Sequence, residues 1–133
     1  MEKVFHFDSP RDHYRADACV ISCFDARFDL AIRKFLKRGG IAIFDHVKIP
    51  GSAKALAAPE SDAERDFVMR MIEVSVRLHQ PERVLVIGHN ECGAYGGQPG
   101  DVIVADVARA AEMLRRLAPA EGYFADFDGI YRV

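Results

Sequence analysis

The sequence has no tryptophan, only three cysteines, no long apolar run and almost no net charge. No stretch approaches the ~20 apolar residues that cross a bilayer, and the opening segment, MEKVFHFDSPRDHYRAD, is too polar for a secretory signal. Lys and Arg number 18 against 20 Asp and Glu, which leaves no basic footprint for nucleic acid or an anionic membrane. We therefore expect a cytoplasmic protein that works on a small molecule, with no nucleic-acid or membrane partner.

The odd number of cysteines disfavours a disulfide framework. A cytoplasmic compartment keeps thiols reduced, so Cys19, Cys23 and Cys92 point to metal binding or catalysis. The 133 residues, 50% of them hydrophobic, are enough to bury one core without staples. We expect a single domain over residues 1–133.

Short β-branched runs alternate along the chain with helical spacings. The buried-strand pattern occurs at Ala18–Ser22, Ile41–Phe44 and Val84–Gly88. A first helix ends at Gly39-Gly40, a second starts at the capping box Ser61–Glu64 and ends before Pro81, and a third runs from about Asp101 to Leu117. Apolar residues form one face of the first helix, at Phe28, Ala31, Ile32, Phe35 and Leu36, and continue with helical spacing along the second, at Phe67, Met71, Val74 and Leu78. In the third helix the predicted inward residues are Val104, Val107, Ala108, Ala111 and Leu114.

This order of elements predicts an α/β fold. Right-handed crossovers lead to a mainly parallel sheet of the 2-1-3-4 type with helices on both faces, closed by a hairpin or edge strand around Asp128-Gly129. Ligands of such sheets bind beyond the carboxyl ends of the strands, where the strand order reverses. Here that crevice lies between the first and third strands, which end at Cys23 and His89.

Two short motifs at these strand ends carry the candidate chemistry, Cys23-Phe24-Asp25-Ala26-Arg27 and Gly88-His89-Asn90-Glu91-Cys92-Gly93. Together they offer two thiolates and one imidazole. Such a set suits a tetrahedral zinc ion and leaves its fourth position open. We predict that Cys23, His89 and Cys92 bind Zn²⁺.

The neighbouring pair Asp25 and Arg27 allows two arrangements. If Arg27 holds Asp25 in a bidentate ion pair, the carboxylate stays ionised, keeps off the metal and can accept a hydrogen bond from a zinc-bound hydroxide. If Arg27 swings away, Asp25 can become the fourth ligand and close the site.

The two motifs, CxDxR and then HxxC, resemble those of the β-class carbonic anhydrases, and the likeness runs from about Ala18 to Gly97. The resemblance implies an α/β zinc lyase that hydrates carbon dioxide to bicarbonate by zinc-bound hydroxide. It also implies that Cys23, His89 and Cys92 bind the zinc ion, that Asp25 and Arg27 are the catalytic pair at the fourth position, and that the protein is a homodimer or higher homo-oligomer.

One segment departs from the family pattern. Members usually carry an Arg-Asn-Ala-(Gly)-Asn segment after the second strand, where this chain has FDHVKIPGSA over residues 44–53. A different pocket wall leaves two alternatives open. One is a zinc hydrolase of another small heterocumulene, such as carbonyl sulfide or carbon disulfide, and the other is a non-catalytic zinc-binding module closed by Asp25.

Four further features have a functional and an ordinary interpretation. His46 follows the second predicted strand and is either a proton shuttle or a loop histidine. The Pro50-Gly51-Ser52 loop either offers N–H groups to a bound anion or is a plain turn. Glu91 is either a hydrogen-bond partner of the site or a solvated acid. Cys19 lies within a strand, and we predict a core thiol there rather than a ligand.

Overall fold

A computed structural model describes all 133 residues and shows an α/β protein. The strands are β1 (Ala18–Ser22), β2 (Phe44–Lys48), β3 (Arg83–His89), β4 (Ala120–Ala125) and β5 (Ile130–Arg132). The helices are α1 (Ala26–Arg38), α2 (Lys54–Ala57), α3 (Asp62–His79) and α4 (Gly100–Leu114), and a single 3₁₀ turn covers Gly93–Tyr95. None of these helices combines the length and the apolar character that crossing a membrane requires.

The five strands form one sheet in the order β2-β1-β3-β4-β5. All neighbours are parallel except β4 and β5, which form the antiparallel pair at the C-terminus. This confirms the predicted sheet and its closing hairpin. In the register of the sheet, Ser22 of β1 lies opposite Ile87 of β3. Cys23 is one residue beyond Ser22 and His89 is two residues beyond Ile87. Both side chains therefore lie at the same edge of the sheet.

Helices cover both faces of the sheet, as predicted. On one face α1 packs Phe28, Ile32 and Leu36 against the sheet. The other face carries α2, α3 and α4 over a larger cluster that includes Cys19 and Ile21. Because β1 and β3 are covered on both sides, their side chains are buried with almost no alternation, which explains the continuous apolar runs in the sequence.

Most of the apolar residues that show helical spacing in α3 lie outside its buried face, although Met71 packs against the core. Phe67 is 62% exposed, and Val74 and Leu78 are exposed as well, while the buried positions are Val68, Met69, Ile72 and Ser75. Two apolar stripes run side by side on this helix at the same spacing, and periodicity does not distinguish them. The capping box that starts the helix is present, since the Ser61 hydroxyl accepts a hydrogen bond from the Glu64 N–H at 3.2 Å.

The core face of α4 is shifted in a similar way. Val107, Ala111 and Leu114 are buried as predicted, whereas Ala108 is exposed and Val104 is only half-buried. The remaining buried positions are Ile103, Asp106 and Ala110. The helix ends at Leu114 rather than Leu117. In the turn that follows, the N–H groups of Leu117 and Ala118 both donate to the Leu114 carbonyl.

The second strand starts later than predicted, at Phe44 instead of Ile41. The residues before it have other hydrogen-bond partners. The Ile41 N–H donates to the Leu36 carbonyl at the end of α1, and the Asp17 carboxylate accepts from the N–H groups of Ala42 and Ile43, each at 2.8 Å. These contacts occupy the backbone N–H groups that pairing with a neighbouring strand would need. The strand therefore starts nearer the C-terminus than predicted.

Gly88 allows α4 to approach β3 directly beside His89. A Cβ atom at Gly88 would lie 2.7 Å from Val107 Cγ2 and 2.9 Å from Ile103 Cγ2, inside van der Waals contact.

We expect Gly88→Ala to lower the free energy of unfolding by about 1–3 kcal/mol through overpacking, measured by urea denaturation. Gly93→Ala is the matched control because a Cβ there meets nothing within 4 Å. Equal stability of the two variants would contradict this account of the packing.

Candidate metal centre

Three side chains from two segments meet at the carboxyl edge of the sheet. Cys23 follows β1, His89 ends β3 and Cys92 lies in the loop after β3, and their ligand atoms all lie within 4.8 Å of one another. All three residues are buried, at 8%, 3% and 4% exposure. The structure thus brings together the residues that the sequence predicted as metal ligands.

The geometry of this cluster fits a zinc ion. Two sulfurs that each lie about 2.3 Å from a tetrahedral zinc are roughly 3.8 Å apart, and the Sγ atoms of Cys23 and Cys92 are 3.9 Å apart. The Nε2 atom of His89 is buried and has no hydrogen-bond partner. Its Nδ1 donates to the Asn90 carbonyl at 2.8 Å, which leaves the Nε2 lone pair free. A buried imidazole nitrogen without a partner, beside two thiols, is a donor set that could hold a metal ion.

The loop after β2 supplies a backbone donor to both sulfurs. The Gly51 N–H lies close enough to both thiols to lower the pKa of Cys23 and to oppose the rise in the pKa of Cys92. Gly51 has a φ of +71°, and a Cβ there would lie 3.1 Å from the Cβ of Ala94, so glycine suits this close approach. The loop therefore stabilises negative charge on the thiolates themselves.

Ser52, the next residue of that loop, stabilises the fold and offers no free donor to the site. Ser52 is fully buried, its hydroxyl donates to the Ile21 carbonyl at 3.2 Å and its N–H donates to the Ile49 carbonyl at 3.2 Å. Both of its donors are satisfied inside the protein. Of the two N–H groups in this loop that the sequence offered to a ligand, those of Gly51 and Ser52, only that of Gly51 lies near the thiols.

The two cysteines of the cluster differ in acidity. Burial raises the pKa of Cys23, but the neighbouring His89 imidazole and the backbone N–H groups of Asp25 and Gly51 outweigh it and bring that pKa down to about 7. Burial and the adjacent Cys23 raise the pKa of Cys92. Cys23 is therefore the more acidic of the two thiols.

Cys19 is chemically distinct from these two. It is fully buried within β1, in the core between the sheet and α3. Burial raises the pKa of its thiol to about 11, so it stays protonated. It lies outside the cluster of ligand atoms, where the sequence analysis also placed it.

Asp25 and Arg27 form the bidentate ion pair that was one of the two predicted arrangements. Arg27 Nη2 lies 2.8 Å from Asp25 Oδ2, and Arg27 Nε lies 3.1 Å from both carboxylate oxygens. Asp25 also caps α1, since its Oδ1 accepts a hydrogen bond from the Arg27 backbone N–H at 3.0 Å. The hydrogen bonds from the Arg27 side chain are the main cause that lowers the pKa of Asp25 to about 2. The ionised Oδ2 lies 4.0 Å from His89 Nε2, next to the cluster but outside it.

A cavity of about 310 Å³ opens onto the cluster. Its walls are largely apolar, formed by Phe24, Pro50 and Ala94 around the two cysteines, and Asp25 lies at its edge. The Phe24 side chain is 61% exposed at this surface. A small apolar molecule fits such a space beside the metal-ligand set.

His46 does not lie where the sequence placed it. Because β2 starts at Phe44, His46 is inside the strand opposite Val20, on the α1 face, and not beyond the strand's end. Its Nε2 is hydrogen-bonded to the Ser22 hydroxyl at 2.7 Å. Burial, with Lys48 and Arg33 nearby, lowers the pKa of His46 to about 4. A histidine that stays neutral near pH 7 is unsuited to shuttle protons.

Glu91 takes part in the site mainly through its backbone. It has a φ of +50°, and its carbonyl accepts a hydrogen bond from Arg27 Nη2 at 3.1 Å. Its carboxylate lies 3.5 Å from Arg27 Nη1. Of the two interpretations of Glu91, the structure favours a hydrogen-bond partner of the site.

Sequence reasoning missed two neighbours of the imidazole. The Asn90 carbonyl orients His89, and the Phe28 ring lies 4.7 Å from the His89 ring. The helical spacing of Phe28 indicated the apolar face of α1, but nothing in the sequence indicated its contact with the site. A carbonyl has no signal at all, since every residue carries one.

Fold and site together define an α/β protein with a Cys-His-Cys set at the switch point of a parallel sheet. Residues 14–124 match the family described as "Putative carbonic anhydrase", so the chain belongs to that family. The chain is also 28% and 29% identical over 99 residues to two uncharacterized proteins from Rickettsia bellii and Rickettsia conorii. The matches cover 71% of this chain but only 60% and 53% of those relatives.

Solved structures of β-carbonic anhydrases share this fold. The β-carbonic anhydrase isoform I of Trichomonas vaginalis has a TM-score of 0.64 at 12% identity, over 96% of this chain and 87% of that one. The carbonic anhydrase of Streptococcus mutans has a TM-score of 0.61 at 16% identity, over 91% and 83%. A carbon disulfide hydrolase has a TM-score of 0.58 at 13% identity, over 89% and 79%.

Proposed function

We propose that this protein is a zinc-dependent lyase that hydrates carbon dioxide to bicarbonate. The observation that carries the proposal is the buried, unpartnered Nε2 of His89 beside the thiols of Cys23 and Cys92, at the end of an apolar cavity. Membership of a carbonic anhydrase family supports this assignment.

Cys23, His89 and Cys92 would hold the zinc ion. When bound, zinc supplies a Lewis acid that lowers the pKa of a water molecule and so provides a nucleophile near neutral pH. Two thiolates offset the charge of the cation, so the acidification is weaker than with three imidazoles and neighbouring groups must assist.

The chain's own residues supply that assistance. The ionised carboxylate of Asp25 can accept a hydrogen bond from the O–H of the nucleophile and so orient its lone pair toward the substrate carbon. Arg27 keeps the carboxylate charged and directed away from the metal position. Phe24, Pro50 and Ala94 offer an apolar surface to a linear, uncharged substrate.

Stopped-flow hydration of carbon dioxide tests this function directly. We expect the zinc-loaded chain to accelerate the release of protons to a pH indicator, and the same chain stripped of metal to match the buffer. A folded preparation with one zinc per chain that gives no rate above buffer at neutral and alkaline pH would refute the proposal.

A zinc hydrolase of carbonyl sulfide or carbon disulfide is the second candidate. The apolar cavity walls suit these substrates as well, and the fold is shared with a carbon disulfide hydrolase. Release of hydrogen sulfide from carbon disulfide by the same preparation separates the two functions. A non-catalytic module closed by Asp25 has less support, because Arg27 engages both oxygens of that carboxylate.

We also propose that the protein works as a homo-oligomer in a reducing compartment such as the cytoplasm. Phe5, Phe7 and Phe67 are exposed apolar side chains that a second subunit could cover, and two β-carbonic anhydrases of Sordaria macrospora that share the fold are tetrameric. The thiols of Cys23 and Cys92 must stay reduced to bind metal.

A further inference from the structure

An exposed aromatic residue far along the chain lies against the arginine of the candidate site. Phe127 stands on the turn between β4 and β5 and is 61% exposed. The Cζ atom of Arg27 is 5.7 Å from the centre of its ring and 5.6 Å from the centre of the Phe28 ring. The two rings are themselves 5.4 Å apart. The guanidinium therefore rests where two aromatic rings meet, in range of cation–π attraction to both.

The turn that carries Phe127 is tied to the loop that carries the metal ligands. The Asp126 carboxylate accepts from the Phe127 N–H at 2.8 Å and from Asn90 Nδ2 at 3.0 Å. The Asn90 N–H donates to the Ala125 carbonyl at 2.9 Å. Phe127 is thus held in a defined place relative to the segment between His89 and Cys92.

Arg27 needs such support, because its long side chain is 47% exposed and could adopt many rotamers. Its partners on the site side are Asp25 and the carbonyl of Glu91. The rings of Phe28 and Phe127 pack against the same guanidinium. The rings lie against Arg27 in the rotamer in which it engages both oxygens of Asp25.

We propose that Phe127 is a positioning residue that acts through Arg27 to keep the Asp25 carboxylate away from the fourth metal position. The inference rests on the proposed metal site. Removing the ring removes a cation–π contact from Arg27, so Arg27 keeps Asp25 in place less often. We expect the fraction of protein in which Asp25 binds the metal to rise about two- to fivefold, the value of an exposed cation–π contact.

Cobalt(II) loaded in place of zinc reports on the fourth ligand through its visible absorption. We expect Phe127→Ala to shift this spectrum part of the way toward that of Arg27→Ala, in which Asp25 is released fully. In an Asp25→Asn background the Phe127→Ala change should have no effect, because no carboxylate is left to bind. Tyr131→Ala is the matched control, since Tyr131 is an exposed aromatic on β5 that pairs with Asp128.

Two results would overturn the inference. One is a Phe127→Ala spectrum identical to that of the parent, and the other is an equal shift with Asp25→Asn present, which would indicate a general disturbance of the site. Failure of the parent to bind cobalt at all would refute the proposed metal site, and this inference with it. A parent that binds cobalt while Phe127→Ala changes nothing leaves the proposed function intact and refutes only the role of Phe127.

Discussion

Replacing Cys92 by serine is expected to abolish stoichiometric zinc binding and, with it, the hydration of carbon dioxide. A serine hydroxyl does not ionise near neutral pH and is a poor zinc ligand, so only Cys23 and His89 would remain of the three protein donors. Even the loss of a residue that only hydrogen-bonds to a zinc ligand typically lowers the affinity for the metal 10–100-fold. We therefore expect the loss of a ligand to cost on the order of 100-fold or more.

The measurement is zinc content per chain after dialysis, followed by competition with a chromophoric chelator. Cys19→Ala is the matched control, because Cys19 is a buried thiol outside the cluster of ligand atoms. It should retain one zinc per chain, with some loss of stability from the smaller core side chain. Full zinc content in Cys92→Ser, or loss of zinc in Cys19→Ala, would contradict the assigned ligands.

Asp25→Asn is expected to lower kcat for carbon dioxide hydration by about 100-fold or more while zinc content stays the same. The amide is uncharged, so it loses the charge-assisted bonds to Arg27 and binds the nucleophile's proton less strongly. Asparagine is as good a helix N-cap as aspartate, so α1 should keep its start at this position.

Asp29→Asn provides the comparison for this variant. Asp29 is in the first turn of the same helix and pairs with Lys48 and Arg33, away from the cluster. Its replacement should leave the rate close to that of the parent. A fully active Asp25→Asn variant would remove Asp25 from the mechanism, and loss of zinc from it would instead identify Asp25 as a ligand.

Much of the site was predictable because its side chains follow two parallel strands, and the carboxyl ends of these strands lie at the same edge of the sheet. The apolar runs of β1 and β3 are visible in the sequence, and parallel strands that flank a switch point bring Cys23 and His89 together. Cys92 is close in sequence to His89, and Asp25 and Arg27 are close to Cys23. Each prediction needed only local pattern and one rule of topology.

Other features depended on packing between distant segments. Two apolar stripes on α3 have the same spacing, and only the shape of the sheet and of α4 decided that Val68 and Ile72 face inward while Phe67 does not. The start of β2 depended on the Asp17 carboxylate, which binds two N–H groups in the loop before the strand. That displacement moved His46 onto the α1 face and away from the site.

The sequence by itself determined the α/β order of elements and the three candidate metal ligands, because residue type and spacing carry that information. Only the tertiary structure decided that the Gly51 N–H faces both thiols and that Phe127 packs on Arg27. A backbone donor is common to every residue except proline, and an aromatic ring after a turn is common on surfaces. Their roles arise from the position of the chain in space, which local sequence does not encode.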